Sequence, residues 1–261
     1  MAVRIGSARI DERGKISGGK AGSQIAKEIS RQDWYLHSKG WVVLRAIDDE
    51  ARELIAQNME YACDSAYVGY DQSQNQTLYQ AVKNLGFDIS KLTKKCETDC
   101  ARLVRVCVRY AGIKCDDFYT ATLKKVLKAT GKFKVYTSAK YCKSSDYLKR
   151  GDILVTKTKG HTVVVLSDGA KVYPEYKVGK SFTLQQEMNI REGAGLAYEI
   201  KKRLNWTASG RKHDKDKDSL LDKGTVVTCK KLKKVGTRMW MKIPSGWVCA
   251  YNTKTNKIYI K

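Results

Sequence analysis

Four of the chain's eight cysteines, Cys96, Cys100, Cys107 and Cys115, fall within "KKCETDCARLVRVCVRYAGIKC". A thiol can ligate a metal, pair as a disulfide, fill a core or attack a carbonyl. Zinc calls for two close cysteine pairs or nearby histidines. Cys96 and Cys100 have no matching second pair, and the only histidines are His37, His161 and His213. No metal and no other cofactor is assigned on this pattern. Eight cysteines in 261 residues do not make a small disulfide scaffold, and a reducing cytosol would keep them as thiols. Cys100 is set apart by position. Leu103, Val104, Cys107 and Ala111 recur at helical spacing, so a buried helix opens near "TDC", with Thr98 or Asp99 where an N-cap belongs. In its first turn the helix's positive end favours a thiolate over a thiol. Cys107 and Cys115 read as packing, and Cys96 receives no role.

A thiolate nucleophile needs a base. His161 follows Gly160 at the opening of an apolar strand, where its ring can stand at a sheet edge within reach of a helix end. His37 and His213 lie in polar or charged surroundings and read as surface residues. Taken singly, a cysteine at a helix start is most often inert filling, and a lone histidine is as easily structural. The two together favour thiol chemistry more than either does alone.

The elements that must position this pair are an α+β set. "ERGKISGGKAGSQIAKEIS" reads as a glycine-rich loop or hairpin, and it lacks the order of a P-loop. From Asp48, Ala51, Leu54, Ile55, Met59 and Ala62 mark a core-facing helix behind an acidic start. "QTLYQAVKNLGF" predicts a short helix closed by Gly86. "DDFYTATLKKVLKATG" predicts another, capped by Asp116 or Asp117 and ended by Gly131. Beyond Ser145 the pattern turns to antiparallel strands in "GDILVT", "HTVVVL" and "AKVY", the second covered on both faces. After Trp206, "SGRKHDKDKD" reads as a charged, flexible stretch, and short strands in "GTVVTCKKL", "RMWMKI", "GWVCAY" and "KIYIK" predict a compact SH3-like β-barrel. The expected domains are residues 1–200 and 207–261.

"TDCARLVRVCV" and "YLKRGDILVTKTKGHTVVVLSDG" resemble the nucleophile and base segments of the NlpC/P60 superfamily of papain-like thiol peptidoglycan hydrolases. The likeness is to a phage-endolysin branch marked by "GGKAG-x-Q", "GYDQ" and "CETDC", found here as Gly18 to Gln24, Gly69 to Gln72 and Cys96 to Cys100. It covers roughly residues 8 to 175. The resemblance implies that Cys100 attacks a wall-peptide amide and that His161 is the base. It places the third, orienting residue at Tyr173, with Glu175 as a nearby substitute. Tyr70 matches the residue that helps hold the oxyanion, and Gln24 is a weaker candidate for the same wall of the cleft. The chain departs from the pattern at Tyr173, where His, Asn or Gln is usual. It departs again at Ala101, in "GSQIAKE", and in "GRKHDKDKD" at the start of the last segment.

That last segment resembles a bacterial SH3 domain, whose role in lysins is to hold the enzyme on the wall. Trp240, Trp247 and Tyr251 could present aromatic faces to a peptide there, or the tryptophans could be core. Residues 207–261 hold 14 basic and 4 acidic residues, a net +10, and the whole chain carries +23. Such charge seeks polyanions: peptidoglycan, teichoic acid, an anionic lipid surface or nucleic acid. No helix-turn-helix, RRM or zinc-finger motif accompanies it, so no nucleic-acid partner is expected. No segment has the length and apolarity of a membrane span or secretory signal. The expectation is a product made in the bacterial cytoplasm that reaches the wall through a holin, through rupture or from outside. The rival readings are a basic nucleic-acid binder, a wall binder with a dead site, and an acyltransferase on the same fold.

Overall fold

The computed structural model describes residues 2–255 and 257–261 of the chain. They form two compact units, Met1–Val172 and Tyr173–Lys261. The first is built on β1 (Arg4–Ala8), β2 (Ile29–Asp33), β3 (Trp41–Ala46), α1 (Asp49–Asp64), β4 (Val68–Tyr70), α2 (Thr77–Val82), β5 (Cys96–Thr98), α3 (Cys100–Tyr110), α4 (Leu123–Ala129), β6 (Phe133–Tyr136), α5 (Ala139–Cys142), β7 (Ile153–Thr156) and β8 (Thr162–Val165).

Six of these strands make one antiparallel sheet in the order β2-β1-β8-β7-β3-β6. The strand period of two divides their side chains between two cores. Val42 and Leu44 of β3 and Val164 of β8 face α1 and α3, meeting Ile55, Met59, Leu103 and Cys107. Trp41, Val43, Val163 and Val165 face the other way, onto Ile5, Leu148 and Leu154. Val163 to Leu166 is therefore buried on both sides, as its continuous apolar character implies. α1 begins where the sequence sets it, with the Asp48 carboxylate accepting from the Ala51 amide at 2.8 Å. Likewise α2 runs into a 3₁₀ turn that ends at Gly86 in the left-handed region, φ 70°.

The "GD" of "KRGDILV" shapes the turn into β7. Gly151 has φ +83°, and a Cβ there would lie 2.1 Å from the Arg52 carbonyl oxygen, so only glycine fits. Asp152 is fully buried and takes two hydrogen bonds from the Arg45 guanidinium of β3, at 2.7 and 2.6 Å. A buried carboxylate persists when it is paired in this bidentate way.

Two local expectations fail for physical reasons. α4 starts at Leu123 behind Thr122, because Asp117 is already held by Arg102 and Arg105 of α3 at 3.3 and 3.1 Å and caps nothing. "AKVY" forms no strand, because β1 already pairs with β8 (Ile5↔Val165, Gly6↔Val164) on the edge it would have taken.

In the second unit β9 (Ser181–Thr183) and β10 (Val226–Thr228) make a ribbon, while β11 (Lys231–Val235), β12 (Arg238–Ile243), β13 (Gly246–Asn252) and β14 (Lys257–Ile258) make a four-stranded antiparallel sheet; a short helix, α6, spans Ala208–Arg211. This is not the closed barrel expected. The β11 edge carries exposed Lys231, Lys233 and Lys234, which protect an open edge instead of closing it. Nor does residues 173–206 belong with the first unit. Its Tyr176, Leu184, Met188, Ile190 and Trp206 join Met241, Ile243, Val248, Ala250 and Ile260 in the core of the second unit. That shared core moves the boundary from residue 200 to Val172/Tyr173. The charged stretch after Trp206 is also ordered: Thr207 caps α6, and Asp214 is buried against Arg203.

Candidate active site

Cys100 is the first residue of α3, and Asp99, not Thr98, is its cap, accepting from the Arg102 amide at 2.8 Å. The helix is delivered by β5, which pairs in parallel with β4 so that Tyr70 lies beside Thr98. The three quoted motifs assemble around this pair. The Glu28 carboxylate accepts from the Tyr70 amide at 2.9 Å and the Gln24 amide at 2.7 Å. Asp71 accepts from the Gly18 amide at 2.7 Å, and the Gln72 amide donates to the Ile16 carbonyl at 2.8 Å. Gly69 lies so close to Gly22 that a Cβ would come within 2.7 Å of the Gly22 carbonyl. "GGKAG-x-Q", "GYDQ" and "CETDC" are thus one structure, a loop tied across a strand pair, and its products are the placements of Tyr70 and Cys100.

His161 stands at the turn between β7 and β8. Its amide donates to Thr156 Oγ1 at 3.0 Å, and its carbonyl accepts from the Thr156 amide at 3.0 Å. The next residue, Thr162, directs its backbone amide at the Cys100 sulfur, so the start of α3 meets the strand end that follows His161. Tyr70 and Tyr35 lie within electrostatic reach of Cys100. The Tyr70 hydroxyl accepts from Gln72 Nε2 at 3.0 Å and keeps its own proton to donate.

The electrostatics overturn the expected thiolate. Burial, and then the Asp99 carboxylate, push the Cys100 thiol up to about 12. Burial, and then the nearby charges of His37 and Arg9, push the His161 imidazole down to about 4. Desolvation therefore outweighs the helix end, and both groups are neutral across the neutral range. Close by, Glu97 is a buried carboxyl with neither oxygen hydrogen-bonded among the described residues, and burial followed by Glu28 and Asp71 raises it to about 8.

The remaining sequence candidates are placed as follows. Tyr173 belongs to the second unit, where it stacks on Tyr251 with ring centroids 4.6 Å apart. Gln24 is exposed and turns its amide back onto the carbonyls of Ala21 and Gly22, which shapes its own loop. Trp240 is buried and Trp247 half-buried. Trp240 lines a cleft of about 230 Å³ with Glu187, Arg191, Arg238 and Tyr259, and its indole N–H has no hydrogen-bond partner among the described residues. Arg9 and Tyr35, absent from the sequence candidates, and His37, read there as a surface residue, lie within electrostatic reach of the pair. Continuing the β1–β8 register sets Arg9 opposite His161, a neighbour with no local signal in the chain.

Residues 5–172 match the endolysin-like domain family. That span is more than half of the chain, and the chain belongs to this family. The membership makes it an endolysin-type protein with a phage-type cell-wall-lytic function, a hydrolase whose substrate is peptidoglycan. No curated protein and no solved structure matches the chain. Among the described residues no helix is long and apolar enough to cross a membrane.

Proposed function

We propose that the chain is a thiol hydrolase that cuts an amide bond of bacterial wall peptide, with Cys100 as nucleophile and His161 as base. The observation that carries this reading is the approach of the capped start of α3 to the strand end after His161, with the Thr162 amide directed at the Cys100 sulfur. The resemblance of the Cys100 and His161 segments to papain-like, NlpC/P60-type hydrolases supports it.

With both groups neutral at rest, sulfur attack and proton transfer to His161 are coupled. As the C–S bond forms, the carbonyl oxygen takes the negative charge, and the free amides at the start of α3 and the Tyr70 hydroxyl are the donors available to it. The protonated His161 then gives its proton to the leaving nitrogen as the C–N bond breaks. Water, deprotonated by His161, hydrolyses the thioester and restores the thiol. Thr156 fixes the backbone of His161. His37, facing the imidazole, is a candidate for the orienting role that the family pattern puts at Tyr173.

In the same proposal the second unit holds the enzyme on the wall. Its +10 charge over residues 207–261 attracts an anionic polymer. Its cleft offers Arg191, Arg238 and Glu187 to a peptide, while Trp247 and Tyr251 are partly exposed beside it on β13.

The test is turbidity of a purified wall suspension with the wild type and Cys100→Ser, followed by mass identification of the fragments. Clearing by the wild type alone, with new amine and carboxylate ends, is the expected result. Equal clearing by the variant overturns thiol catalysis, and fragments carrying a transferred acyl group favour the acyltransferase reading.

A further inference from the structure

The segment "KHDKDKDSLLD" alternates lysine with aspartate, and in the fold one carboxylate oxygen from each of Asp214, Asp216 and Asp218 lies within 4.8 Å of the other two. Asp216 and Asp218 are exposed, whereas Asp214 is only 2% exposed. One Asp214 oxygen is used: Oδ2 accepts from Arg203 Nε and from the Ser219 amide. The other, Oδ1, is buried and has no hydrogen-bond partner among the described residues. A buried carboxylate oxygen without a donor is costly, and three converging carboxylates repel one another; a cation between them removes both penalties.

We propose that Asp214, Asp216 and Asp218 form a binding site for a divalent cation of the calcium class. The donor set is oxygen alone, which selects a hard cation over zinc or copper. Acids at the first, third and fifth positions of a loop are the spacing by which a tightly wound segment wraps calcium. The winding is present here, with Lys217 and Ser219 in the left-handed region at φ 62° and 71°. Further along the same spacing, the seventh position offers the Leu220 carbonyl. The ninth is Asp222, whose Oδ2 is also buried and without a hydrogen-bond partner among the described residues. The twelfth position is Thr225, where a strong loop has a bidentate carboxylate, so the site belongs to the weak, extracellular range of affinities. Lys215 and Lys217 are both exposed, and Arg203 holds Oδ2 of Asp214, so Oδ1 remains available to an ion. Bound calcium would tie Asp214, packed against Arg203, to the chain entering β10.

The test uses the full-length protein stripped with a chelator, titrated calorimetrically with calcium and followed by thermal unfolding. One saturable site with a Kd of about 0.1–1 mM, and a midpoint that rises with calcium, is expected. Asp216→Asn together with Asp218→Asn alters only exposed groups and relieves the repulsion, so the metal-free midpoint should stay level or rise while calcium weakens at least about tenfold. Terbium luminescence of the wild type, displaced by calcium, reads the same site without any variant. The absence of saturable binding up to about 10 mM calcium overturns the proposal. So does undiminished binding by the double variant, and an equal response to magnesium overturns the calcium class.

Discussion

The two halves of the candidate site are built in opposite ways. The nucleophile's half is knit by hydrogen bonds among neighbouring loops and is ringed by acids, with Asp99 as cap and Glu28, Asp71 and Glu97 buried behind it. The base's half is held by a sheet, with the Arg9 cation and the His37 ring near the His161 imidazole. Asp99 opposes a thiolate at Cys100 and Arg9 opposes an imidazolium at His161, so in the proposed reaction each half resists the charge it would carry. The pair is stored uncharged, and under the proposed mechanism substrate attack and proton transfer occur together. A resting thiolate–imidazolium pair would have needed the two sets of neighbours exchanged.

The comparison breaks most visibly at the base itself. His161→Ala should lower wall-clearing activity by about 1,000-fold or more, as losses of such partners do. In the wild type, the pH profile of kcat/KM should stay level through neutrality and fall on the acid side near 4, where His161 gains its proton. An acid limb near the ordinary imidazole value would show that the cationic half does not act as described. Tyr70→Phe removes one donor to the oxyanion and should reduce kcat by roughly 10- to 100-fold with little change in KM, measured by fragment release.

Smaller effects sharpen the same contrast. Glu97 has its folded-state value raised to about 8. Between its ordinary value and 8 the folded chain holds a proton that the unfolded chain has lost, so stability contributed there declines as pH rises and levels off above 8. Glu97→Gln should flatten that decline and raise the melting midpoint at pH 9 by a few degrees, about 2–4 °C, read by calorimetry. Arg9→Met removes a positive charge facing His161. The acid limb should then move upward in pH, by up to about one unit, while the neutral plateau persists.

The nucleophile's half was legible in the sequence because its causes are local. A cap, a helical period and a first-turn cysteine lie within a dozen residues, and Asp99, Cys100 and Leu103 are found as read. The strands at 153–156 and 162–165 were equally plain from their apolar runs. The base's surroundings were not, because Arg9 reaches His161 through a pairing between the two ends of the first unit, and no local pattern announces such a pairing. The reversal of the thiolate expectation has a similar origin: a helix end is visible in sequence, but the depth at which it is buried is not. In the second unit, strand alternation was visible. The lysine-bearing open edge and the recruitment of Tyr176 and Trp206 to its core depended on tertiary packing.

The pairing of Ile5 with Val165 also sets an order of events during synthesis. Once synthesised, β1 must wait for almost the whole first unit before its partner β8 exists, and closing so long a loop is slow. Until then β1 has only the β2 hairpin beside it, and its other edge is open to any neighbouring nascent chain. Yield of this protein should therefore respond to expression temperature and crowding of the emerging chain more than its finished stability would suggest, and catalysis cannot begin before the last strand of that sheet has been made.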